Sequence, residues 1–405
     1  MPHARPDSRE VLSRVLSRRA HGRVPWTLDF GSCKGVGPAI SDALRGRLGI
    51  AGSFAEALDY DVWIALDPDR VHHDALPHFV DSLKRRIAVS SLQSSIPLSR
   101  KPGFDYLAYY PRRAEGGSFD SARINASFDS SFDSFGLYYF AWPGNPEYQS
   151  FQSPLEHVTD DRLMRDFPLP VIQPADLEWF AADVAYIRSR HKMSAAWSGS
   201  LYELSWYLRG RERIFLDYYD DPRGVDSLVE KIADFVETLT KRNLEAGVDI
   251  LCYYDDLGTQ NSMIISPEIF RRFYKPHYKR IWALVKSYSR ERHIFLHSCG
   301  NVSAILPDLI ECGLDILNPV QPEAMDVQRT FRDYGRDLGF WGTVGVQQTF
   351  CRGTREDIFS VVRERVEGIG ESGALILGPA NTLGKDVPLE NVAFFIEACR
   401  KYCSR

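Results

Sequence analysis

The sequence has few cysteines, no long apolar run and no excess of basic charge. Seven cysteines occur among 405 residues, and no two of them form a CxxC pair. We therefore expect no disulfide framework, and a reducing cytoplasmic compartment fits best. No apolar run reaches the roughly 18 residues that a membrane-spanning helix needs. The net charge of −5 gives no reason to expect nucleic acid or an anionic membrane as a partner.

The length and the alternation of elements predict a large α/β fold. A (β/α)₈ TIM barrel needs about 250 residues and tolerates long insertions, so 405 residues fit one elaborated barrel. From about residue 174 onward, six strand-like apolar runs alternate with helical stripes, and two extended segments at 24–28 and 62–66 bring the count to eight. Such alternation implies a parallel sheet, and eight units imply a closed barrel. The six runs lie at 194–198, 248–254, 293–296, 314–317, 338–341 and 374–377.

Helix boundaries are indicated by local capping signals. Ser8 is a candidate N-cap of the first helix, and Asp221-Pro222 and Ser266-Pro267 combine a capping side chain with proline in the first turn. Thr354 is expected to cap a later helix, and Gly247 to end the long one that follows Asp221.

The domain organisation is predicted from where this regular pattern is lost. Residues 67–152 show short apolar pieces and turn signals without a helical or strand period. A long irregular segment in a compact domain is usually a functional surface loop. We therefore predict a single barrel domain over 1–405, with an N-terminal elaboration and with 67–152 as an insertion or lid.

Polar and ionisable side chains recur where the predicted strands stop. In barrels of this type, the residues just past the carboxyl ends of the strands build the active site. The recurrence is therefore the main sequence evidence for a catalytic mouth. The strand ends carry Asp29, 197–199, Asp255-Asp256, 297–299, 318–321, 342–343 and 378–381.

Asp255 and Asp256 follow five largely apolar residues of a predicted strand. Adjacent residues of a strand point to opposite sides, so at most one of the two carboxylates is expected to face the barrel axis. A buried carboxylate can have a raised pKa and act as a general acid or base. The competing interpretation is that one of the pair caps a loop.

His297 and Cys299 lie two residues apart, just past another strand. Alternation places both side chains on one face, and imidazole and thiolate are preferred zinc ligands. Two other interpretations stay open on spacing alone: a packed cysteine beside a hydrogen-bonded histidine, and a nucleophilic cysteine paired with a histidine base.

Several motifs together resemble one known superfamily. They are 7–12 with 23–25, 255–260 (DDLGTQ), 265–268 (ISPE), 297–301 (HSCGN), 316–321 (ILNPVQ) and 387–391 (VPLEN). With these motifs the chain resembles the uroporphyrinogen decarboxylase superfamily, which includes the decarboxylase of haem synthesis and corrinoid-linked methyltransferases. The resemblance runs over most of the chain and implies a (β/α)₈ barrel.

The methyltransferase branch of this superfamily implies a zinc site. There, a zinc ion binds a thiol substrate as the thiolate, which is the better nucleophile, and the ligands are a His-x-Cys pair and a later cysteine. His297 and Cys299 match the pair. The later position falls at 378–381, where no cysteine occurs and Asn381 is the expected occupant. A complete set then requires a ligand from Asp256 or Glu203.

The decarboxylase branch matches this chain less well. That branch holds its polycarboxylate tetrapyrrole with an arginine-rich segment after the first strand. The corresponding residues here, 29–34 (DFGSCK), contain one lysine and no arginine. The characteristic late histidine of that branch also falls near Asn381. We therefore do not expect the haem-pathway reaction.

Three functions remain, of which the first is favoured. The first is a methyltransferase or demethylase for a small methylated substrate, with zinc and with a corrinoid protein as partner. The second is a cofactor-free decarboxylase or lyase for a small carboxylic acid, and the third is a barrel that binds a ligand without turnover. A homodimer is compatible with each. The candidate residues are Asp256 and His297 as catalytic groups, His297 and Cys299 as metal ligands, and Asp29, Glu203, Tyr254, Asp255, Gln321, Trp341 and Asn381 as substrate contacts.

Overall fold

The computed structural model describes residues 7–19, 22–65, 98–101, 103–104, 133–135, 137–142, 145–172, 174–371 and 373–403. Much of the predicted insertion at 67–152 lies outside the described residues. The described part of that segment contains the strands β2 Leu98–Ser99, β3 Tyr138–Trp142 and β4 Asn145–Gln152, and β5 Val171–Ile172 follows it. β3 and β4 form an antiparallel pair, and β2 pairs with β5.

A seven-stranded parallel sheet forms the centre of the molecule. Its strands follow one another in space in the order in which they occur in the chain. Helices cross between them, as parallel connections require, and β6 and β7 are buried along their whole length. The strands are β1 Val62–Ile64, β6 Met193–Gly199, β7 Ile250–Tyr254, β8 His293–His297, β9 Ile316–Asn318, β10 Gly339–Trp341 and β11 Leu375–Ile376.

The segment at 24–28 occupies the position next to β11 but does not form a full strand. Trp26 makes a single parallel bridge to Leu377, with backbone hydrogen bonds on both sides of it. Among the described residues, no strand ladder joins this segment to β1. Side chains make the connection: the Trp26 and Tyr60 rings are 5.7 Å apart, and Arg23 pairs with Asp61. The sheet is therefore curled, and the predicted eight-strand closure is present only in part.

Three helices begin at the capping signals read from the sequence. The Asp221, Ser266 and Thr354 side chains each accept a backbone N–H of the following turn, and Gly247 ends the long helix in the left-handed conformation. The α-helices are α1 Ser8–Leu16, α2 Pro38–Leu48, α3 Phe54–Ala57, α4 Asp161–Asp166, α5 Pro174–Ser189, α6 Tyr202–Arg209, α7 Arg211–Asp220, α8 Pro222–Ala246, α9 Pro267–Ile269, α10 Lys275–Tyr288, α11 Leu306–Cys312, α12 Val327–Tyr334, α13 Arg355–Arg365 and α14 Leu389–Tyr402.

The first helix starts one residue earlier than predicted. Asp7, not Ser8, is its N-cap, and the Asp7 carboxylate accepts the N–H of Arg9 at 2.8 Å. The Ser8 hydroxyl instead accepts a hydrogen bond from Lys192. In the part of the chain that the structure describes, no helix is both long enough and apolar enough to cross a membrane.

Candidate metal centre

His297 is the last residue of β8, and its ring orientation is set by Asn318 at the end of β9. The ring Nδ1 lies 2.5 Å from Asn318 Oδ1. Asn318 Nδ2 donates to the backbone oxygen of Trp341 at 2.7 Å. Because that backbone oxygen can only accept, the amide nitrogen of Asn318 must face it, and the amide oxygen must face the imidazole. Nδ1 therefore carries the proton, and the lone pair of Nε2 points away from Asn318.

Two aromatic rings pack against the imidazole. The His297 ring centroid lies 5.2 Å from that of Phe30 and 5.3 Å from that of Tyr254. The Tyr254 hydroxyl is held by the loop that follows 24–28: it accepts hydrogen bonds from Ser32 and donates to the Phe30 oxygen. Tyr254, a predicted substrate contact, thus has its polar atom occupied by the protein.

Nε2 faces a carboxylate and a thiol. It lies 3.4 Å from Cys299 Sγ and 3.6 Å from Asp256 Oδ1, and one ligand atom from each of the three residues lies within 4.8 Å of the others. His297 is buried, whereas the Asp256 side chain retains 43% of its exposure. An oxygen, a nitrogen and a sulfur ligand therefore converge at a point that solvent can reach from the Asp256 side.

Hydrogen bonds from backbone N–H groups to side chains hold the Asp256 loop against the Cys299 loop. The N–H of Cys299 donates to Asp256 Oδ1 at 2.8 Å, and the N–H of Leu257 donates to the Ser298 hydroxyl at 3.0 Å. Gly300 has φ +80°, and a Cβ added to it would lie 2.4 Å from the backbone of Gly258. The close approach of the two loops thus requires glycine at 300.

Asp255 points the other way, into the protein. Its carboxylate accepts hydrogen bonds from the Ser200 hydroxyl, from the N–H groups of Leu201 and Glu203, and from Tyr278. It thereby caps the start of α6. Burial raises the pKa of Asp255 to about 6, although these hydrogen bonds act in the opposite direction. Of the two adjacent carboxylates, Asp255 is a capping group and Asp256 joins the candidate centre.

Several acidic side chains lie close together at the centre, where they are partly shielded from solvent. Burial raises the pKa of the Cys299 thiol, and the neighbouring Asp256 carboxylate raises it further. Burial likewise raises the pKa of Glu203 well above its usual value, with contributions from Asp256 and Asp255. A thiolate beside a carboxylate is unfavourable at this position unless a cation offsets the charge.

The other predicted residues surround this group at different depths. Asn381, which is exposed, donates from its amide to Cys299 Sγ at 3.0 Å, and Gln321 Oε1 accepts the N–H of Gly300 at 3.2 Å. Trp341 is buried, and its Nε1 donates to the backbone oxygen of Asp29. Asp29 accepts the N–H of Gly35 and lines a small open pocket with Lys34 and Ser53.

Two positioning residues were not selected from the sequence. Asn318 orients His297, and Ser298 connects the two loops. Both residues belong to the polar strand ends found in the sequence, so their place just after a strand was the one sequence feature that pointed to them. Only the fold shows that the amide of Asn318 meets the imidazole of the neighbouring strand.

The donor set fits a divalent zinc-type cation. Zinc takes histidine nitrogen, cysteine sulfur and carboxylate oxygen, and catalytic zinc sites use three protein ligands with one position open to substrate. Asp256, His297 and Cys299 supply one donor of each kind, and Asn318 provides the outer hydrogen bond that metal-binding histidines generally have.

Comparison with known proteins places the chain in a family. The family model described as uroporphyrinogen decarboxylase (URO-D) matches residues 173–402, more than half of the chain. The chain belongs to the URO-D family. The matched region contains β6 to β11, and with them all three residues of the candidate centre.

Curated relatives of this URO-D family member include both methyltransferases and decarboxylases. A methylated-thiol–coenzyme M methyltransferase from Methanosarcina mazei is 28% identical over 181 residues, which is 45% of this chain and 46% of the relative. A methylcobamide:CoM methyltransferase, MtaA, from Methanosarcina barkeri is 28% identical over 39% of this chain and 43% of the relative. A uroporphyrinogen decarboxylase from Picosynechococcus is 24% identical over 45% of this chain and 49% of the relative. The matches thus span less than half the length of these relatives.

A solved structure resembles the whole fold. A methyltransferase from Methanosarcina mazei superposes with a TM-score of 0.58 over 98% of this chain and 99% of that chain, at 16% sequence identity. At that identity the likeness concerns the fold. It extends to the N-terminal part, which the family model does not match.

Proposed function

We propose that this URO-D family member is a zinc-dependent methyltransferase that transfers a methyl group from a methylated corrinoid, carried by a partner protein, to a small thiol. The observation that carries the proposal is the convergence of Asp256, His297 and Cys299, with a hydrogen-bonded histidine and an open side. Relatives named for methyl transfer to coenzyme M support it.

Each residue of the centre has a defined part in this proposal. Asp256, His297 and Cys299 would hold the zinc ion, and bound zinc would supply an acidified, nucleophilic thiolate at its open position. Asn318 keeps the lone pair of Nε2 directed toward the other two ligands. The Phe30 and Tyr254 rings pack against the imidazole and keep water from that side of it.

The substrate would approach from the exposed side of Asp256. Asp29, Glu203 in the first turn of α6, and Gln321 beyond β9 are partly exposed, and we propose them as contacts for the thiol and the methyl donor. In the transfer, the thiol loses its proton to solvent and its sulfur forms a bond to the methyl carbon. The carbon–cobalt bond breaks with both electrons going to cobalt, which is reduced from Co(III) to Co(I).

We further propose that the curled sheet is a closed (β/α)₈ barrel with 24–28 as its remaining strand, and that 67–152 is an insertion in a single domain. The Trp26 bridge and the side-chain contacts across the gap support the closure. The family match, which begins at residue 173, leaves 67–152 outside the matched region and so supports treating that segment as an insertion.

Methyl transfer can be assayed with methylcobalamin and a panel of small thiols that includes coenzyme M. The zinc-loaded protein is expected to consume methylcobalamin and to release the methyl thioether, followed by absorbance and mass spectrometry. Losing a metal ligand removes several kcal/mol of stabilisation, so His297→Ala and Asp256→Asn should lower the rate about 100-fold or more. Cys299→Ala should lower the rate to a similar extent, and Cys351→Ala, at a cysteine outside the centre, is its matched control.

The same preparation separates the alternatives. Release of carbon dioxide from a small carboxylic acid, without methyl transfer, would replace the proposal with a decarboxylase, an activity for which the uroporphyrinogen decarboxylase relatives are named. Binding of a thiol without any turnover would indicate a ligand-binding barrel.

A further inference from the structure

Asn381 stands against the sulfur of the candidate centre with its amide in one defined orientation. Its Nδ2 lies 3.0 Å from Cys299 Sγ, and its Oδ1 accepts the backbone N–H of Thr382 at 2.6 Å. A backbone N–H can only donate, so the oxygen of the amide must face Thr382 and the nitrogen must face the sulfur. Asn381 therefore presents a hydrogen-bond donor to Cys299.

The backbone around Asn381 is fixed on both sides. The N–H of Ala380 donates to the oxygen of Val344 at 2.8 Å, and the N–H of Leu383 donates to the oxygen of Gly35 at 2.7 Å. The amide thus reaches Cys299 from a loop whose backbone is anchored to the loop after β10 and to the loop that follows 24–28. This arrangement lowers the conformational entropy cost of the contact.

We propose that Asn381 is a positioning residue that donates its N–H to the sulfur of Cys299 and is not itself a metal ligand. The inference rests on the metal site of the proposed function. It gives that site a protein ligand set of one carboxylate, one imidazole and one thiolate. The fourth position is left for the substrate thiol.

The hydrogen bond also changes how the sulfur donates to a metal. An N–H directed at a thiolate stabilises its lone pairs, so the sulfur gives less electron density to the cation. A set with one thiolate and one carboxylate is also harder than a set with two thiolates. Both effects leave the cation a stronger acceptor for an incoming thiolate.

Cobalt(II) loaded in place of zinc reports on this contact without an activity assay. The intensity of the sulfur-to-cobalt charge-transfer absorption counts the coordinated thiolates, and its energy follows the stability of the sulfur lone pairs. We expect the wild-type protein to show the intensity of one thiolate. Asn381→Ala and Asn381→Asp should keep that intensity and move the band to lower energy, because both remove the N–H donor.

Two further variants complete the experiment. Asn381→Cys should approximately double the charge-transfer intensity by adding a second thiolate. Asn261→Ala, at an exposed asparagine of another strand-end loop, should leave the spectrum unchanged.

Different outcomes would overturn different parts of the account. Loss of stoichiometric cobalt in Asn381→Ala would show that Asn381 is a ligand, and an unshifted band would show that the hydrogen bond is absent. Either result overturns this inference and leaves the metal site standing. A wild-type protein without any charge-transfer band would overturn both the inference and the proposed metal site.

Discussion

Asn318 defines which nitrogen of His297 is available for chemistry. Its amide spans the Trp341 oxygen and the imidazole Nδ1, so Nε2 is directed at Asp256 and Cys299. From the sequence alone, His297 and Cys299 could be placed on one face, because strand alternation is local. The partner of His297 could not be identified, because it comes from the next strand, 21 residues later.

Asn318→Ala should weaken zinc binding about 10- to 100-fold, because the histidine loses the hydrogen bond that orients it. Competition with a zinc chelator measures this affinity. Asn391→Ala is the matched control, since Asn391 is also buried and donates to the Phe350 and Gly353 oxygens far along the chain from the centre. Equal zinc affinities for the two variants would contradict the role assigned to Asn318.

The two loops that carry the ligands are joined where Gly258 meets Gly300. Helix starts such as Asp221 and Thr354 were predictable, because a capping side chain and the turn it stabilises are adjacent in sequence. The meeting of Gly258 and Gly300 was not, because it depends on the register of two neighbouring strands. The pairing of 24–28, which forms one bridge where a strand was predicted, likewise depends on a neighbour far along the chain, Leu377.

Gly300→Ala and Gly313→Ala form a matched pair. Both glycines have positive φ, but a Cβ at Gly313 would meet nothing within 4 Å. Gly313→Ala should therefore lower the free energy of unfolding by about 1 kcal/mol. Gly300→Ala should lower it by about 3 kcal/mol, because the backbone of Gly258 must also move. Denaturant unfolding measures both, and equal losses would contradict the close approach of the loops.

At the scale of the whole molecule, the opposite end of the sheet is held by Asp249. This buried carboxylate precedes β7 and accepts hydrogen bonds from Arg9 of α1, from Arg292 before β8 and from Ser194 of β6. Burial would raise the pKa of Asp249, but the Arg9 hydrogen bonds and the nearby positive charges outweigh it, so its pKa lies below the usual value. The sequence predicted the apolar strand there but not this network, whose members are up to 240 residues apart.

Asp249→Asn should destabilise the protein by on the order of 3 kcal/mol at neutral pH, because two arginines lose a buried anionic partner. A group with a lowered native pKa contributes its stability above its unfolded pKa, about 4, and loses it as the pH falls through the native value. The difference in unfolding free energy between wild type and variant should therefore be constant from pH 8 to 5 and shrink below about pH 4. A difference that grows on acidification would contradict the assignment.

Zinc binding by the purified protein tests the central claim most directly. After chelation and reloading, we expect one zinc ion per wild-type chain, measured by mass spectrometry of the metal and by chelator competition. Asp256→Ala, His297→Ala and Cys299→Ala should each abolish tight binding, while Cys351→Ala should retain it. A wild-type chain that binds no zinc, or that binds it equally well without these three side chains, would contradict the account.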